Sequence, residues 1–160
     1  MNYLIEDTRQ KENYHQLKHE HFNEVGINVI RCKLPFGDYS RPPAVAVDTK
    51  ENMDEICNNI CGKSHTRFVN ECKSAQAAGC KLIILVENDL GIDDISQVHT
   101  WINPRVIYSP KCPQGSQLQK AMYTLSERYG VEFRFCRPED SGKVILELLG
   151  YGNGRTSDNV

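Results

Sequence analysis

The sequence predicts an α/β protein in which a central sheet is flanked by helices. Three observations carry that expectation. Short apolar runs rich in Val, Ile and Leu alternate along the chain with longer stretches of helical character. The run Lys81-Leu82-Ile83-Ile84-Leu85-Val86-Glu87 is apolar throughout between its charged ends, which suits a strand buried on both faces. Helix punctuation is present too, with Gly115-Ser116 before one stretch and Gly130 closing it.

Taken in order, the chain opens with a strand near 2–7, carrying Leu4-Ile5, and a helix near 11–24. A strand near 28–33 carries Val29-Ile30. The strand near 44–49, a run of Ala and Val, is set off by the turn Arg41-Pro42-Pro43. Helices near 51–61 and 65–78 lead to the buried strand 81–87. Residues 89–112, with several acids and Trp101, read as an insertion with one short strand near 105–108. A helix near 116–129 with Ser116 as N-cap, a strand near 131–135 and a helix near 139–149 complete the pattern. Residues 1–150 therefore read as one domain. The stretch YGNGRTSDNV, 151–160, has no periodic apolar positions and reads as a flexible tail.

The 160 residues are 39% hydrophobic and 25% charged, enough for one core and a solvated surface, with no length left for a second domain. No apolar run is long enough to span a bilayer, so membrane insertion is not expected. The N-terminus enters the first strand without a charged leader or apolar signal core. That points to a cytoplasmic or nucleoid-associated protein, nuclear if eukaryotic, and not to secretion. Seven cysteines without a CxxC pair fit reduced thiols. Cys57 and Cys61 stand four apart on a helix, a spacing that clamps metals but more commonly marks buried thiols. His15 and His19 share it, with His21 close by. They read as solvated helix histidines, because no acidic partner at metalloprotease spacing accompanies them.

The stretch FGDYSRPPAVAVDTKE, residues 36–51, carries the chemistry. Side chains alternate along a strand, so Asp48 and Lys50 share a face while Thr49 turns away and offers its carbonyl there. A hairpin folded back through the prolines returns the carboxylate of Asp38, in a Gly-Asp-Tyr turn, toward Asp48. Two carboxylates and a carbonyl are hard oxygen ligands of the kind magnesium takes, and Lys50 stands beside the water that would attack. Spacing alone also describes an ordinary turn followed by a strand end with a solvated ion pair.

These residues sit in a longer series of matches. The first strand ends in Asp7-Thr8-Arg9-Gln10, then come Gly37-Asp38-Tyr39, Val47-Asp48-Thr49-Lys50, Arg67 with Glu71 four residues on, and the apolar strand ending in Glu87. The series resembles the XPF-type structure-specific endonuclease domain, a branch of the PD-(D/E)XK nuclease superfamily, across most of residues 3 to 149. The family pattern reads Asp-x-Arg-Glu, Gly-Asp-Tyr, Val-Glu-Arg-Lys, then Arg with Gln four residues later. This chain departs from it at Gln10, Asp48, Thr49 and Glu71.

The resemblance implies a restriction-endonuclease-like mixed central sheet and metal-dependent hydrolysis of DNA phosphodiesters, at branched or structured DNA, in repair or recombination. It implies Mg2+, with Mn2+ as a substitute. Asp38, Asp48, Lys50 and Asp7 are the expected catalytic residues, with Asp38, Asp48, Thr49 and Asp7 holding the metal. Arg9, Arg67, Lys63 and Lys73 are expected to contact substrate, with His65, Lys11 and Arg41 on the same rim. The net charge of −2 gives no overall attraction to DNA, and Glu87, Asp89, Asp93 and Asp94 oppose it, so weak binding without metal is expected. The chain stops before the helix-hairpin-helix module of eukaryotic relatives could begin, so DNA contacts are expected from this domain or a partner. Homodimers or heterodimers with a related subunit are expected, in a phage or mobile-element setting or within a repair machine.

Two other classes of function remain open. A noncatalytic DNA-binding or scaffold subunit has the same fold, and retention of Asp38, Asp48 and Lys50 argues against it. A phosphoreceiver-like domain, suggested by Glu6-Asp7, needs an acceptor Asp and a later Lys at strand ends in an order this chain lacks.

Overall fold

The computed structural model of the protein describes residues 3–41 and 45–151. Within them, six strands form one sheet in the order β2-β1-β3-β4-β5-β6. These are β1 (Tyr3–Asp7), β2 (Asn28–Cys32), β3 (Tyr39–Arg41), β4 (Val45–Lys50), β5 (Lys81–Glu87) and β6 (Glu132–Cys136). β1 and β2 run parallel, and so do β4, β5 and β6. β3 is antiparallel to both β1 and β4 and joins the two parallel halves into a mixed sheet. The helices are α1 (Gln16–Glu24), α2 (Met53–Cys61), α3 (His65–Ala77), α4 (Gly115–Tyr129) and α5 (Ser141–Leu148). This is the expected α/β architecture.

Strand alternation divides the core into two layers. Ala46, Leu82, Ile84 and Val86 face α2, α3 and α4, where Ile56, Phe68, Leu118 and Met122 are buried. Val47, Ile83 and Leu85 face the other way, onto Phe22 of α1 and Ile145 and Leu146 of α5. The uninterrupted apolar run of β5 follows from serving both layers. Asp48 and Lys50 share the parity of Ala46, so the end of β4 presents them on the α2 side.

Several boundaries differ from expectation for local reasons. Residues 105–108 are not a strand: Pro104–Ile107 is a 3-10 helix capped by Asn103, whose side chain accepts from the Arg105 amide at 3.0 Å. An Asn-Pro step turns the chain, and Ile107 stays 86% exposed with no sheet partner. The surrounding insertion is not a detached loop, since Val98 and Trp101 are buried against the α4 layer. Ser116 is not the N-cap. Gln114 takes that place in a reciprocal box with Gln117, because Gly115 packs where a Cβ would meet the carbonyls of Val98 and Trp101 at 2.5 and 2.6 Å. The helix expected over 11–24 breaks at His15, and a 3-10 turn over Pro138–Asp140 precedes α5. β3 was not foreseen as a strand, although the hairpin it makes with β4 was. The proline turn with Ala44, and residues 152–160 of the expected tail, lie outside the described residues. Tyr151, assigned to that tail, donates its hydroxyl to the Tyr3 carbonyl.

The α1 side of the sheet is polar where β1 and β5 end. Lys18 Nζ lies 3.1 Å from Glu87 Oε1, and both side chains are under 10% exposed. His19 Nε2 lies 2.5 Å from Glu6 Oε2, and Glu6 also faces Arg31. The helix histidines are thus not simply solvated: His15 is buried, and that burial lowers its pKa. Glu87 is likewise an internal ion-pair partner and not one of the surface acids that oppose DNA. Removing one member of a buried pair strands the other charge. Lys18→Met is expected to cost about 3–5 kcal/mol in urea unfolding, while Lys18→Met with Glu87→Leu recovers most of the loss.

Candidate active site

β4 ends in the chemistry because its last residues outrun β3. The β3–β4 ladder covers Tyr39 to Arg41 against Val45 to Val47, which leaves the Thr49 amide without a strand partner on that side. The Asp38 carboxylate fills the vacancy, accepting from Thr49 N at 2.6 Å and Thr49 Oγ1 at 2.9 Å. The Asp38 backbone is tied as well. Its amide donates to the Val47 carbonyl at 2.8 Å, and its carbonyl accepts from the Asp7 amide at 2.7 Å. Gly37 makes this approach possible, with φ of +72° and a Cβ position only 3.0 Å from Ala46 Cβ.

Asp38, Asp48, Thr49 and Lys50 line one cavity of about 290 Å3. Lys50 Nζ sits 2.7 Å from Asp48 Oδ2 and 5.9 Å from the Phe68 ring centroid. Arg9 and Gln10 close the cavity from the β1 side, Glu55 and Asn59 from α2, and Ser64, Arg67 and Glu71 from the start of α3. Arg9 and Arg67 therefore stand where substrate contacts were expected. Lys63 and Lys73 are exposed and do not line the cavity. Lys73 is six residues past Arg67, about a third of a turn or more around the helix from the stripe shared by Arg67 and Glu71. The side chain of Arg41 lies outside the described residues.

Asp7 has a different setting from the other acids. Its oxygens accept from the Arg9 amide at 2.7 Å, from Arg9 Nε at 2.9 Å and from the Leu34 amide at 3.0 Å. It is fully buried and lies behind Arg9, not on the cavity wall. Burial works against its charge, yet the bonds from Arg9 and Leu34 outweigh it and hold its pKa below the ordinary value.

Gln10, Glu55, Asn59 and Glu71 were not among the expected site residues. Glu55 and Asn59 carry a readable signal, since they follow one another by four on the helix that starts just past Lys50. Gln10 and Glu71 were visible only as departures from the family pattern. The structure brings both to the site: Gln10 donates to Asp38 Oδ1, and Glu71 Oε1 accepts from the Gly37 amide at 2.8 Å. Amide and carboxylate have changed places relative to the pattern, and the site keeps a third acid.

The electrostatics follow from crowding acids in a recess. Burial and then the Asp48 charge raise the Asp38 pKa well above the ordinary range. Glu71 is raised by burial and Asp48, and Glu55 chiefly by burial. Burial works against the Lys50 charge, but Asp48 and Asp38 outweigh it and raise its pKa. The cavity is short of positive charge, with Lys50 held as ammonium inside it. Among the described residues no three His, Cys, Asp or Glu side chains form a ready metal cage.

Comparison with known proteins places this geometry. The ERCC4 domain matches residues 6–148 of the chain. The chain belongs to the ERCC4-domain family. Among solved structures, XPF from Aeropyrum pernix in complex with DNA overlays with a TM-score of 0.67 at 19% identity, covering 93% of this chain and 64% of that one. A second structure of XPF from Aeropyrum pernix gives 0.65, also at 19% identity, over 92% and 63%. This ERCC4 domain thus spans just under two thirds of the length of those chains. No curated protein matches the sequence. The family match and the shared fold make this an ERCC4 domain with the fold seen in XPF.

Asp7 provides a stability test of its role behind Arg9. Because its folded pKa is depressed, its contribution is present above the unfolded value of about 3.9 and is lost as pH falls through the folded value. Asp7→Asn is expected to cost about 1–3 kcal/mol in urea unfolding at pH 7. The difference from the parent should shrink below pH ~4.

Proposed function

We propose that this chain is a metal-dependent endonuclease that hydrolyses phosphodiester bonds in branched or structured DNA, in repair or recombination. One observation carries the reading: Asp38 and Asp48 face one cavity beside a buried, charged Lys50, with Arg9 and Arg67 at its edge. The solved XPF relative in complex with DNA supports DNA as the substrate.

The residues fit a divalent cation. Burial and then the Asp48 charge raise the Asp38 pKa well above the ordinary range, a deficit of positive charge that such an ion relieves. Asp38, Asp48 and the Thr49 carbonyl would hold Mg2+ or Mn2+, with water and substrate phosphate as the remaining ligands that magnesium commonly keeps. When bound, the ion supplies Lewis acidity and a more acidic water.

The chain's own groups do the positioning. Thr49 and Gln10 aim the Asp38 carboxylate, and Asp48 holds the Lys50 ammonium inside the cavity. Lys50 places positive charge where negative charge builds on the phosphate during attack. Arg9, half exposed and braced by Asp7, and exposed Arg67 contact the phosphate backbone. Lys63 and Lys73 contribute only at longer range. The apolar groove between α3 and α4, lined by Val69, Ala121 and Tyr129, offers a surface for pairing with a second copy or a related subunit.

A noncatalytic DNA-binding scaffold is the second reading. Gln10 and Thr49, standing where the family pattern has Glu and Arg, favour it. Cleavage of labelled duplex, single-stranded, flap, fork and four-way junction DNA in Mg2+ and Mn2+ separates the two. Asp48→Asn and Lys50→Met are each expected to lower the cleavage rate by about 100-fold or more while the far-UV spectrum is kept. No cleavage of any substrate by the parent would favour the scaffold.

Metal binding should also depend on pH in a defined direction. The ion needs ionised Asp38, whose raised pKa keeps it protonated beyond the usual carboxylate range. Calorimetric affinity for Mg2+ is therefore expected to rise with pH until Asp38 is ionised, with protons released on binding, and then to level off. Asp38→Asn should remove both the binding and the proton release.

A further inference from the structure

Beside its buried stripe of Leu118, Met122 and Leu125, α4 carries a second one. Gln117, Ala121, Thr124 and Arg128 recur every three or four residues, with Lys120 alongside, and so keep one flank of the helix. That flank runs for about 17 Å of helix axis. With His65 and Val69 of α3 it bounds a groove of about 410 Å3. Buried Ile60 and Leu125 form the floor, and half-buried Val69, Ala121 and Tyr129 form the walls. Lys120, Arg128 and His65 stand exposed around it. Among the described residues no carboxylate lines the groove, and none of these three takes part in an ion pair. The groove is also held in shape. Gln76 Nε2 donates to the Arg128 carbonyl at 3.1 Å, and His65 Nδ1 lies 2.6 Å from the Ile60 carbonyl, so α3 is tied to α4 at one end and to α2 at the other.

We propose that the α3–α4 groove receives an amphipathic helix of a different chain, apolar along one stripe and carrying carboxylates on its flank. The inference rests on the pairing surface proposed above, narrows the partner that surface takes, and does not involve the cleavage reaction.

Shape and charge select that partner together. A groove that follows a helix for three turns takes another helix, whose apolar side chains at i, i+4 and i+7 fill it. The floor and walls are aliphatic apart from Tyr129, so the docked stripe is apolar as well. Lys120 and Arg128 are eight residues apart, about 12 Å along the axis. Carboxylates two turns apart on the docked helix therefore meet both cations at once. The existing ties of α3 to its neighbours reduce what must be ordered on binding.

Two other occupants fit less well. Two-fold pairing of this chain through the groove sets the same surface on itself. Hollow then meets hollow, and Lys120 and Arg128 of each copy meet a rim of their own sign, which like-charge repulsion opposes. A single nucleic-acid strand would find cations for its phosphates. Its bases bind on successive aromatic platforms, however, and Tyr129 is the one Phe, Tyr or Trp among the described residues that line the groove.

The test titrates the full chain into a fluorescent synthetic helix of about 15 residues, with a Leu stripe flanked by Glu, and into a twin with Lys at every Glu position. The parent is expected to bind the Glu helix at least about 10-fold more tightly than the Lys twin. Lys120→Glu combined with Arg128→Glu, both at exposed positions, should reverse that preference with the far-UV spectrum kept. The bound Glu helix should slow amide exchange in α3 and α4 and leave α1 unchanged. No binding of the Glu helix, equal binding of the twins, or the parent's preference persisting in the charge-reversed variant would each overturn the proposal. So would parent dimers in sedimentation that the double reversal abolishes, which assign the groove to a second copy. Weaker binding of a single-stranded oligonucleotide by that variant without metal would assign it to nucleic acid instead. The peptide titration uses neither metal nor DNA, so its failure is distinct from a failure to cleave.

Discussion

Asp38 is the constraint on which the rest of the site depends. Its carbonyl accepts from the end of β1, its amide donates to β4, and its carboxylate completes the hydrogen bonding of Thr49 where β3 has run out. One residue thus fastens two strands that are not neighbours in the sheet and carries an acid into the cavity between them. Neither role is separable from the other, because the bonds that position the carboxylate are those that close the mixed sheet at this end. Gly37 pays for the geometry, since its left-handed conformation and missing Cβ let residue 38 lie against β4.

The sheet separates two kinds of buried charge. On the α2 side, acids outnumber cations, and burial together with the Asp48 charge raises the pKa values of Asp38 and Glu71. On the α1 side, Lys18 and Glu87, and Glu6 with His19 and Arg31, answer one another. Balanced pairs of that kind hold elements in place. An unbalanced recess has a standing electrostatic demand that a cation or a substrate contact can meet, which is how strained chemistry and function tend to coincide. The strand parity that separates the layers also decides which acid joins which set: Asp48 belongs to the recess, and Glu87 belongs to the opposite layer.

The insertion over 89–112 supports the site indirectly. Val98 and Trp101 add apolar cover on the α4 side, and Gly115 lets α4 begin directly beneath their carbonyls. Asn103 reaches across to Cys57 and to the Pro113 carbonyl, so the insertion also braces the back of α2. The helix that walls the main cavity is therefore packed on one side and chemically open on the other.

The sequence by itself determined the alternation of elements, the buried strand β5 and the shared face of Asp48 and Lys50, because each follows from local periodicity. It also held the series of motifs that identified the family. Only the tertiary structure decided that Asp7 braces Arg9 behind the cavity wall, that Lys73 turns away from the cavity, and that Gln10 and Glu71 enter it. It alone decided that residues 105–108 coil instead of pairing. The places of Asp7, Gln10 and Glu71 depend on contacts between segments far apart in the chain, Leu34 with Asp7, Gln10 with Asp38 and Glu71 with Gly37. Periodicity encodes which way a side chain leaves its own backbone, and it carries no information on which distant donor waits there.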